Sequence, residues 1–190
     1  MSGAGDKCGC ALGPSSLIFC AAPSQLIVSK ETTTMKNLEL FTLKIFNTWD
    51  PVEDKNFWEA IIEIPVNFSL FDFHLYIQKI TDFENDHLFT FYAGRNERNR
   101  KMIFSEDEGY PDDGGEYANI LLKDIYPLKG LKLYYLFDFG DNWIFEIHKL
   151  RKKAIPKSGV EYPRLISQSG NKLVQYIDYE DDFISIDDGE

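Results

Sequence analysis

The residues with the clearest potential for chemistry are two carboxylates, Asp138 and Asp141, which lie just before Trp143. Two carboxylates close together across a tight turn could bind a metal ion, and a neighbouring aromatic ring would also suit a cationic group. The alternative is structural, because Asp141 in a turn can accept backbone N–H bonds and Trp143 can bury a large apolar area. We favour the structural interpretation and take Asp138, Asp141, Trp143 and Phe145 as the candidate functional surface.

A second group of carboxylates lies in residues 105–116, which include Asp112 and Asp113. Hard cations such as calcium need several oxygen ligands from one loop. The spacing is not that of an EF-hand, and Pro111 with the two glycines that follow indicates a flexible loop. We interpret the segment as a solvated loop and treat Asp112 and Asp113 as weaker metal candidates than the first pair. The identity of any metal or cofactor stays open.

Nucleophilic catalysis has no candidate in this sequence. The three cysteines, Cys8, Cys10 and Cys20, lie within the first twenty residues, and an odd number at the start of the chain is not a disulfide framework. Zinc usually takes four ligands, so we favour free thiols over a zinc site completed by a second chain. The chain also lacks a Gly-x-Ser-x-Gly motif, a P-loop and a dinucleotide fingerprint. We therefore predict no catalytic residue.

The charge of the chain bears on its partners. The formal net charge is −11, which argues against a direct grip on duplex DNA. The one local basic cluster consists of Arg95, Arg98, Arg100 and Lys101. We interpret it as a solvated loop in preference to a contact for an anion or nucleic acid. No apolar run is long enough to span a membrane, and the first residues lack a signal-peptide pattern. We expect a cytoplasmic protein with a protein partner.

Hydrophobic periodicity predicts a central hairpin and one main helix. Residues 131–139 and 143–148 alternate as strands around Gly140-Asp141-Asn142, and both faces carry apolar residues. Residues from about Leu70 to Thr81 have helical spacing, with Ser69 as N-cap and His74 as a boundary histidine with its hydrogen bonds satisfied. Further strands are predicted at 38–46, 57–66, 87–92 and 102–104, a short helical turn at 121–126, and a last apolar alternation at 172–179.

Residues 137–145, FDFGDNWIF, carry a resemblance to a known family. They match the pattern aromatic-Asp-Phe-Gly-Asp-x-Trp-x-His, except that Phe145 takes the histidine position. Weaker matches occur in the same order, at Phe57-Trp58, at 69–83 with 87–91, and at 161–164. The domain from about Leu40 to Gly170 thus resembles the plasmid pRiA4b ORF-three-like family, whose members are sometimes labelled transposon passenger or TnpR-like proteins.

The resemblance implies an α+β fold, with a strongly bent, mostly antiparallel sheet packed around one main helix. It implies no activity, and its link to mobile elements rests on the family label alone. Because Phe145 replaces the histidine, and His148 lies on the opposite face of the strand, we expect the site to lack an imidazole. If the family is enzymatic, we expect this member to be impaired.

The predicted domain organisation has three parts. Residues 1–34 form an N-terminal extension expected to be disordered, residues 35–180 form the family domain, and residues 181–190 form an acidic tail. We expect this tail to stay solvated unless a basic partner meets it. The function that we favour is a non-enzymatic protein-interaction module; the alternative is a metal-binding domain or metal-assisted enzyme that uses Asp138 and Asp141.

Overall fold

The fold is one seven-stranded antiparallel sheet, bent and open, with few helices. The structure, a computed structural model, describes residues 38–48 and 57–176. The strand order is β4-β3-β5-β6-β1-β2-β7. The strands are β1 (Leu40–Asn47), β2 (Trp58–Pro65), β3 (Phe89–Gly94), β4 (Arg100–Ile103), β5 (Lys132–Phe137), β6 (Trp143–Lys149) and β7 (Arg164–Gly170). The helices are α1 (Leu70–Thr81), α2 (Leu122–Ile125) and a 3-10 turn at Gly115–Ala118.

The α+β prediction and the position of the main helix are confirmed. Helix α1 begins after Ser69, whose hydroxyl accepts the Asp72 N–H at 2.9 Å, and the Asp72 carboxylate accepts the Ser69 N–H at 3.3 Å. This reciprocal pair is a capping box, which satisfies two N–H groups at the start of the helix. The helix ends at Asp82, which has a left-handed φ of 64°. The helix boundaries therefore follow from local signals.

The predicted central hairpin is also confirmed, since β5 and β6 are the third and fourth of the seven strands. Tyr135 pairs with Phe145 and Phe137 with Trp143 across the hairpin. These four side chains are buried in the main core, which the apolar face of α1 completes. Alternation on β5 and β6 thus places the large rings against the helix, as a two-residue period requires.

His74 lies inside the core and not at its boundary, which corrects the prediction. It is fully buried, and its ring stacks on Phe89 with centroids 3.7 Å apart. Its Nε2 lies 2.6 Å from Asn85 Oδ1, and its Nδ1 lies 2.6 Å from the Tyr135 hydroxyl. The Tyr135 hydroxyl also accepts a hydrogen bond from Gln78 Nε2 at 2.7 Å. A neutral imidazole with its proton on Nε2 fits this network, since the carboxamide oxygen accepts and the tyrosine hydroxyl donates.

The apolar alternation predicted at 172–179 does not form a strand in the part that the structure describes, residues 172–176. The last strand is β7, and residues 171–176 follow it without pairing into the sheet. Leu173 and Gln175 are buried while Val174 and Tyr176 are exposed, so the alternation reflects an extended segment lying on the domain. Leu173 joins the main core, and Lys172 pairs with Asp82 at 2.7 Å.

Several predictions concern residues outside those that the structure describes. They are the N-terminal extension 1–34 with its cysteines, and the acidic tail 181–190. Within residues 38–48 and 57–176, no helix combines the length and the apolar character needed to cross a membrane.

Candidate functional site

Asp138 organises the turn between β5 and β6. Its Oδ1 accepts the N–H groups of Gly140 at 2.9 Å and Asp141 at 3.3 Å, and its carbonyl oxygen accepts the Asn142 N–H at 2.6 Å. The residues with positive φ in this turn are Asp138 at 54° and Asn142 at 57°. The prediction that Asp141 accepts the backbone bonds is therefore wrong, because Asp141 is exposed and Asp138 has that role.

Two of the four residues assigned to the candidate surface belong to the core. Phe145 is fully buried and Trp143 is 5% exposed. The Phe83 ring contacts both, with centroid distances of 4.9 Å to Trp143 and 6.3 Å to Phe145. These side chains pack beneath the turn. Asp138 is only 8% exposed, so Asp141 is the one residue of the predicted four that is exposed to solvent.

An imidazole lies beside Asp138, contrary to the expectation that the site lacks one. It belongs to His87, whose Nε2 is 3.5 Å from Asp138 Oδ2, 3.1 Å from the Tyr176 hydroxyl and 3.7 Å from Asp86 Oδ1. His148 does lie on the opposite face of β6, as predicted, where it pairs with Glu146. The sequence did contain a signal for His87, since it begins the segment 87–91 that resembles the family, but nothing local connects it to Asp138.

Asp86 fixes the residues that surround His87. Gln175 Nε2 donates to Asp86 Oδ1 at 2.8 Å, and the Tyr176 hydroxyl donates to Asp86 Oδ2. Burial would raise the pKa of Asp86, but the hydrogen bonds from Tyr176 and Gln175 outweigh it and lower the pKa. The same bond to Asp86 raises the pKa of Tyr176 to about 12. The cluster formed by Asp86, His87, Asp138 and Tyr176, here called the His87 cluster, thus joins three distant segments.

The structure does not gather the proposed metal ligands. Asp112 and Asp113 are exposed, and Asp113 Oδ1 accepts the Gly115 N–H at 3.0 Å. One oxygen of Asp138 is already engaged by the backbone. Among the residues that the structure describes, no group of three or more His, Cys, Asp or Glu side chains is arranged to hold a metal ion.

A groove lined by basic side chains lies at the opposite end of the central hairpin from Asp138. It has a volume of about 530 Å³ and is formed by the loop before β5 and the end of β6. A smaller pocket of about 270 Å³ adjoins it and shares Lys149, Leu150 and Arg151. We call the two together the basic groove, whose cationic side chains are those of Lys129, Lys132, Lys149, Arg151, Lys152 and Lys153.

Lys149 occupies the centre of the basic groove and is held by aromatic rings. Its Nζ lies 3.6 Å from the Phe41 ring centroid and 5.0 Å from that of Tyr126. Burial lowers the pKa of Lys149, and the two ring faces offset part of the lost hydration by cation–π attraction. The Tyr126 hydroxyl beside it is buried and has no hydrogen-bond partner among residues 38–48 and 57–176. The ammonium group is therefore positioned before any ligand arrives.

Few carboxylates neutralise the basic groove. Lys132 Nζ lies 2.7 Å from Glu146 Oε1, and Lys153 Nζ lies 3.5 Å from Glu39 Oε1. Burial would raise the pKa of Glu146, but hydrogen bonds from Lys132, His148 and Tyr134 lower it overall, so this carboxylate stays ionised. Within the described part of the chain, Lys129, Lys149, Arg151 and Lys152 form no ion pair. These four side chains form a positively charged surface that no described carboxylate neutralises.

The basic groove also corrects the prediction of a single basic cluster at 95–101. In that cluster Arg98 lies 3.7 Å from Glu97, and the Arg100 guanidinium lies 4.5 Å from the Tyr92 ring. The denser run is His148-Lys-Leu-Arg-Lys-Lys153, at the end of β6. It includes four of the six cations of the groove, so the sequence itself contains a signal for this surface.

The chain belongs to the plasmid pRiA4b ORF-3-like protein family, whose model matches residues 53–177. This confirms the resemblance drawn from residues 137–145. Among solved structures, the chain is similar to a protein of unknown function, MM3350, from Methanosarcina mazei Go1, with 26% identity and a TM-score of 0.53. The likeness covers 71% of this chain and 72% of that one. No curated protein matches the chain.

Proposed function

We propose that this protein is a non-enzymatic interaction module that binds an acidic segment of a partner protein in the basic groove. The observation that carries the proposal is the concentration of positive charge. The chain has a net charge of −11, yet six of its 20 Lys and Arg residues line two adjoining pockets. Among the described residues, Glu39 is the only carboxylate that lines either pocket. A surface of one sign that is kept within a protein of the opposite sign suits a complementary partner.

The floor of the basic groove favours a peptide that also carries apolar side chains. Leu128, Leu131 and Leu150 line the larger pocket together with the cations. An interface with an apolar centre and a charged rim excludes water from the contacts and leaves charge pairs at its edge. A segment that alternates acidic and apolar residues would satisfy both features. The volume of about 530 Å³ falls within the range of known binding pockets.

Charge complementarity favours an acidic protein segment over nucleic acid. Nucleic-acid binding draws on many phosphate contacts at once, and the acidic remainder of this chain would repel the flanking phosphates. A short acidic peptide contacts only the groove and avoids that repulsion. A single-stranded oligonucleotide is accordingly the competing ligand in the test.

The test measures fluorescence anisotropy of a short labelled peptide of alternating acidic and apolar residues. The peptide is added to full-length chains in which Asp181, Asp182, Asp187 and Asp188 are replaced with asparagine, so that the chain's own acidic residues do not compete with it. The groove variant combines Lys149→Gln and Arg151→Gln. The matched control combines Lys79→Gln and Lys101→Gln, which removes the same charge from exposed positions outside the groove. We expect the groove variant to bind about tenfold more weakly than the control, because two unneutralised cations are lost.

Two results would contradict the proposal. One is equal affinity of the groove variant and the control variant. The other is tighter binding of the single-stranded oligonucleotide than of the acidic peptide of equal charge, which would assign the basic groove to nucleic acid. The mobile-element link suggested by the family label is a separate hypothesis about the partner, and identification of that partner would test it.

The alternative of a metal-assisted enzyme at Asp138 and Asp141 has less support in the geometry. The two side chains do not converge with a third ligand in the described residues, and Asp138 is committed to the turn. Thermal unfolding with calcium, magnesium, manganese and zinc tests this alternative. A rise in Tm that is lost in Asp141→Ala, a variant that leaves the turn intact, would favour it.

A further inference from the structure

We propose that the chain's own acidic tail, residues 181–190, occupies the basic groove and competes there with the partner segment. This inference rests on the proposed function, because it names what regulates the same groove. The tail lies outside the described residues, and the observations that support the inference are its sequence and the described groove.

The composition of the tail matches the chemistry of the groove. The tail has five carboxylates and no lysine or arginine, and its apolar residues are Phe183, Ile184 and Ile186. Four groove cations lack an ion-pair partner in the described residues, and the floor between them is apolar. Carboxylates flanking a short apolar run are the ligand that such a groove would select.

The chain between the domain and the tail is long enough for this contact. The last described residue, Tyr176, bonds to Asp86 in the His87 cluster, which lies at the Phe137 end of β5. The basic groove lies at the Lys132 end of the same strand, about 20 Å away by strand rise. Residues 177–190 can extend over about 45 Å. Asp187 and Asp188, eleven and twelve residues beyond Tyr176, can lie up to about 35 Å from it, which brings these two carboxylates within reach of Lys149.

Tethering gives the tail an advantage over any free peptide. A segment held within reach by a short flexible connection has an effective concentration in the millimolar range. A free partner segment of similar sequence must exceed that concentration or bind more tightly. For a tail that binds its groove with a dissociation constant about tenfold below that effective concentration, the apparent affinity for a free peptide falls about tenfold.

The experiment uses the labelled acidic peptide and full-length variants. The tail variant replaces Asp181, Asp182, Asp187 and Asp188 with asparagine. The matched control replaces the exposed residues Glu106, Asp107, Glu108 and Asp112 with the corresponding amides, glutamine or asparagine. Both variants therefore lose four negative charges. We expect the tail variant to bind the peptide about tenfold more tightly than the control does, and we expect Lys149→Gln with Arg151→Gln to abolish that gain.

Carbodiimide coupling gives a second measurement, since it joins a lysine to a carboxylate in direct contact. We expect intramolecular links from the tail to Lys149 or Lys152, and none to Lys79 on the exposed face of α1. Mixing isotopically labelled and unlabelled protein separates links within one chain from links between chains. Links between chains only, or links spread evenly over all lysines, would overturn the inference.

The two proposals fail differently. Suppose that the peptide binds the unmodified chain, the tail variant and the control variant equally well, and that Lys149→Gln with Arg151→Gln weakens binding. The tail inference is then overturned and the proposed function stands. If the tail variant binds the peptide with no dependence on Lys149 and Arg151, the proposed function is overturned, and the tail inference falls with it.

Discussion

His74 makes the stability of this domain depend on pH in a predictable direction. Burial lowers the pKa of His74 from 6.5 to about 4, against a smaller opposing effect of its hydrogen bond with Asn85. The unfolded chain therefore takes up a proton near pH 6.5 that the folded domain does not accept until about pH 4. The contribution of the neutral imidazole is complete above pH 6.5 and is lost as the pH falls towards 4.

The size of this effect follows from the difference between the two pKa values. A difference from 6.5 to about 4, at roughly 1.4 kcal/mol for each pKa unit, gives about 3 kcal/mol. Small domains have unfolding free energies of about 5–15 kcal/mol, so this loss is a large fraction of the total. Carboxylates titrate over part of the same range, and only a comparison of variants isolates the histidine.

The assay is urea unfolding, followed by tryptophan fluorescence, over a series of pH values from above 6.5 down to about 4. Trp58 and Trp143 are buried, which makes them reporters of the folded state. The His74→Gln variant keeps a donor and an acceptor but cannot titrate. We expect this variant to be less stable than the parent above pH 6.5. Between pH 6.5 and about 4, its free energy of unfolding should fall by about 3 kcal/mol less than that of the parent. Ile77→Val on the same helix is the control for simple loss of packing.

Two results would refute this account of His74. Unfolding free energies of the parent and of His74→Gln that fall in parallel with pH would show that the imidazole does not titrate differently on folding. A histidine ring that protonates near pH 6.5 in the folded protein, measured by NMR, would show that burial and the network around Tyr135 do not hold it neutral.

The other predictions concern stability, measured as shifts in urea unfolding. Asp138→Ala should cost about 1–3 kcal/mol because the turn loses its N–H acceptor and keeps a left-handed φ, whereas Asp141→Ala should cost under about 0.5 kcal/mol; the reverse order would contradict our account of the turn. Ser69→Ala should cost about 1 kcal/mol through loss of the capping box, and an unchanged midpoint would show that the cap is redundant. Gly114→Ala should cost more than about 2 kcal/mol, because its φ is +69° and a Cβ would lie 2.4 Å from the Phe71 ring. A neutral result there would mean that the loop moves freely away from α1.

The elements that sequence reasoning predicted well are those with local signals. Helix α1 is specified within one turn at its start, where Ser69 and Asp72 cap each other. The central hairpin is specified by alternation, since the period places Tyr135, Phe137 and Phe145 on one face. Both patterns depend on neighbours in the sequence, so they could be seen before any tertiary contact was known.

The last strand was missed because its side chains are exposed along its length. In β7, Leu165 and Ile166 are 41% and 45% exposed, and four small or polar residues follow them. A strand with no buried face shows no two-residue period. Its pairing with β2 depends on tertiary structure and leaves no local pattern in the sequence. The alternation at 172–176 instead reflects an extended segment that packs Leu173 on the core.

The His87 cluster could not be predicted because its members are far apart in sequence. Asp138 was identified from a short motif, but His87 and Tyr176 reach it only through the arrangement of the sheet and the segment 171–176. Phe145 was placed on the same surface by its position in the motif, yet strand alternation puts it in the core. The basic groove differs from the His87 cluster in this respect. Its main run of cations, at 148–153, can be seen in the sequence, and only the shape of the pocket depends on the fold.

The measurement that tests the central claim most directly is backbone amide chemical-shift mapping on the full-length tail variant with the unlabelled acidic peptide. Our account predicts that the shifts concentrate at residues 128–132 and 148–153, around the basic groove. The Lys149→Gln and Arg151→Gln changes should weaken them. Shifts confined to the His87 cluster, or no shifts at saturating peptide, would contradict the proposal that this family member is an acidic-segment binding module.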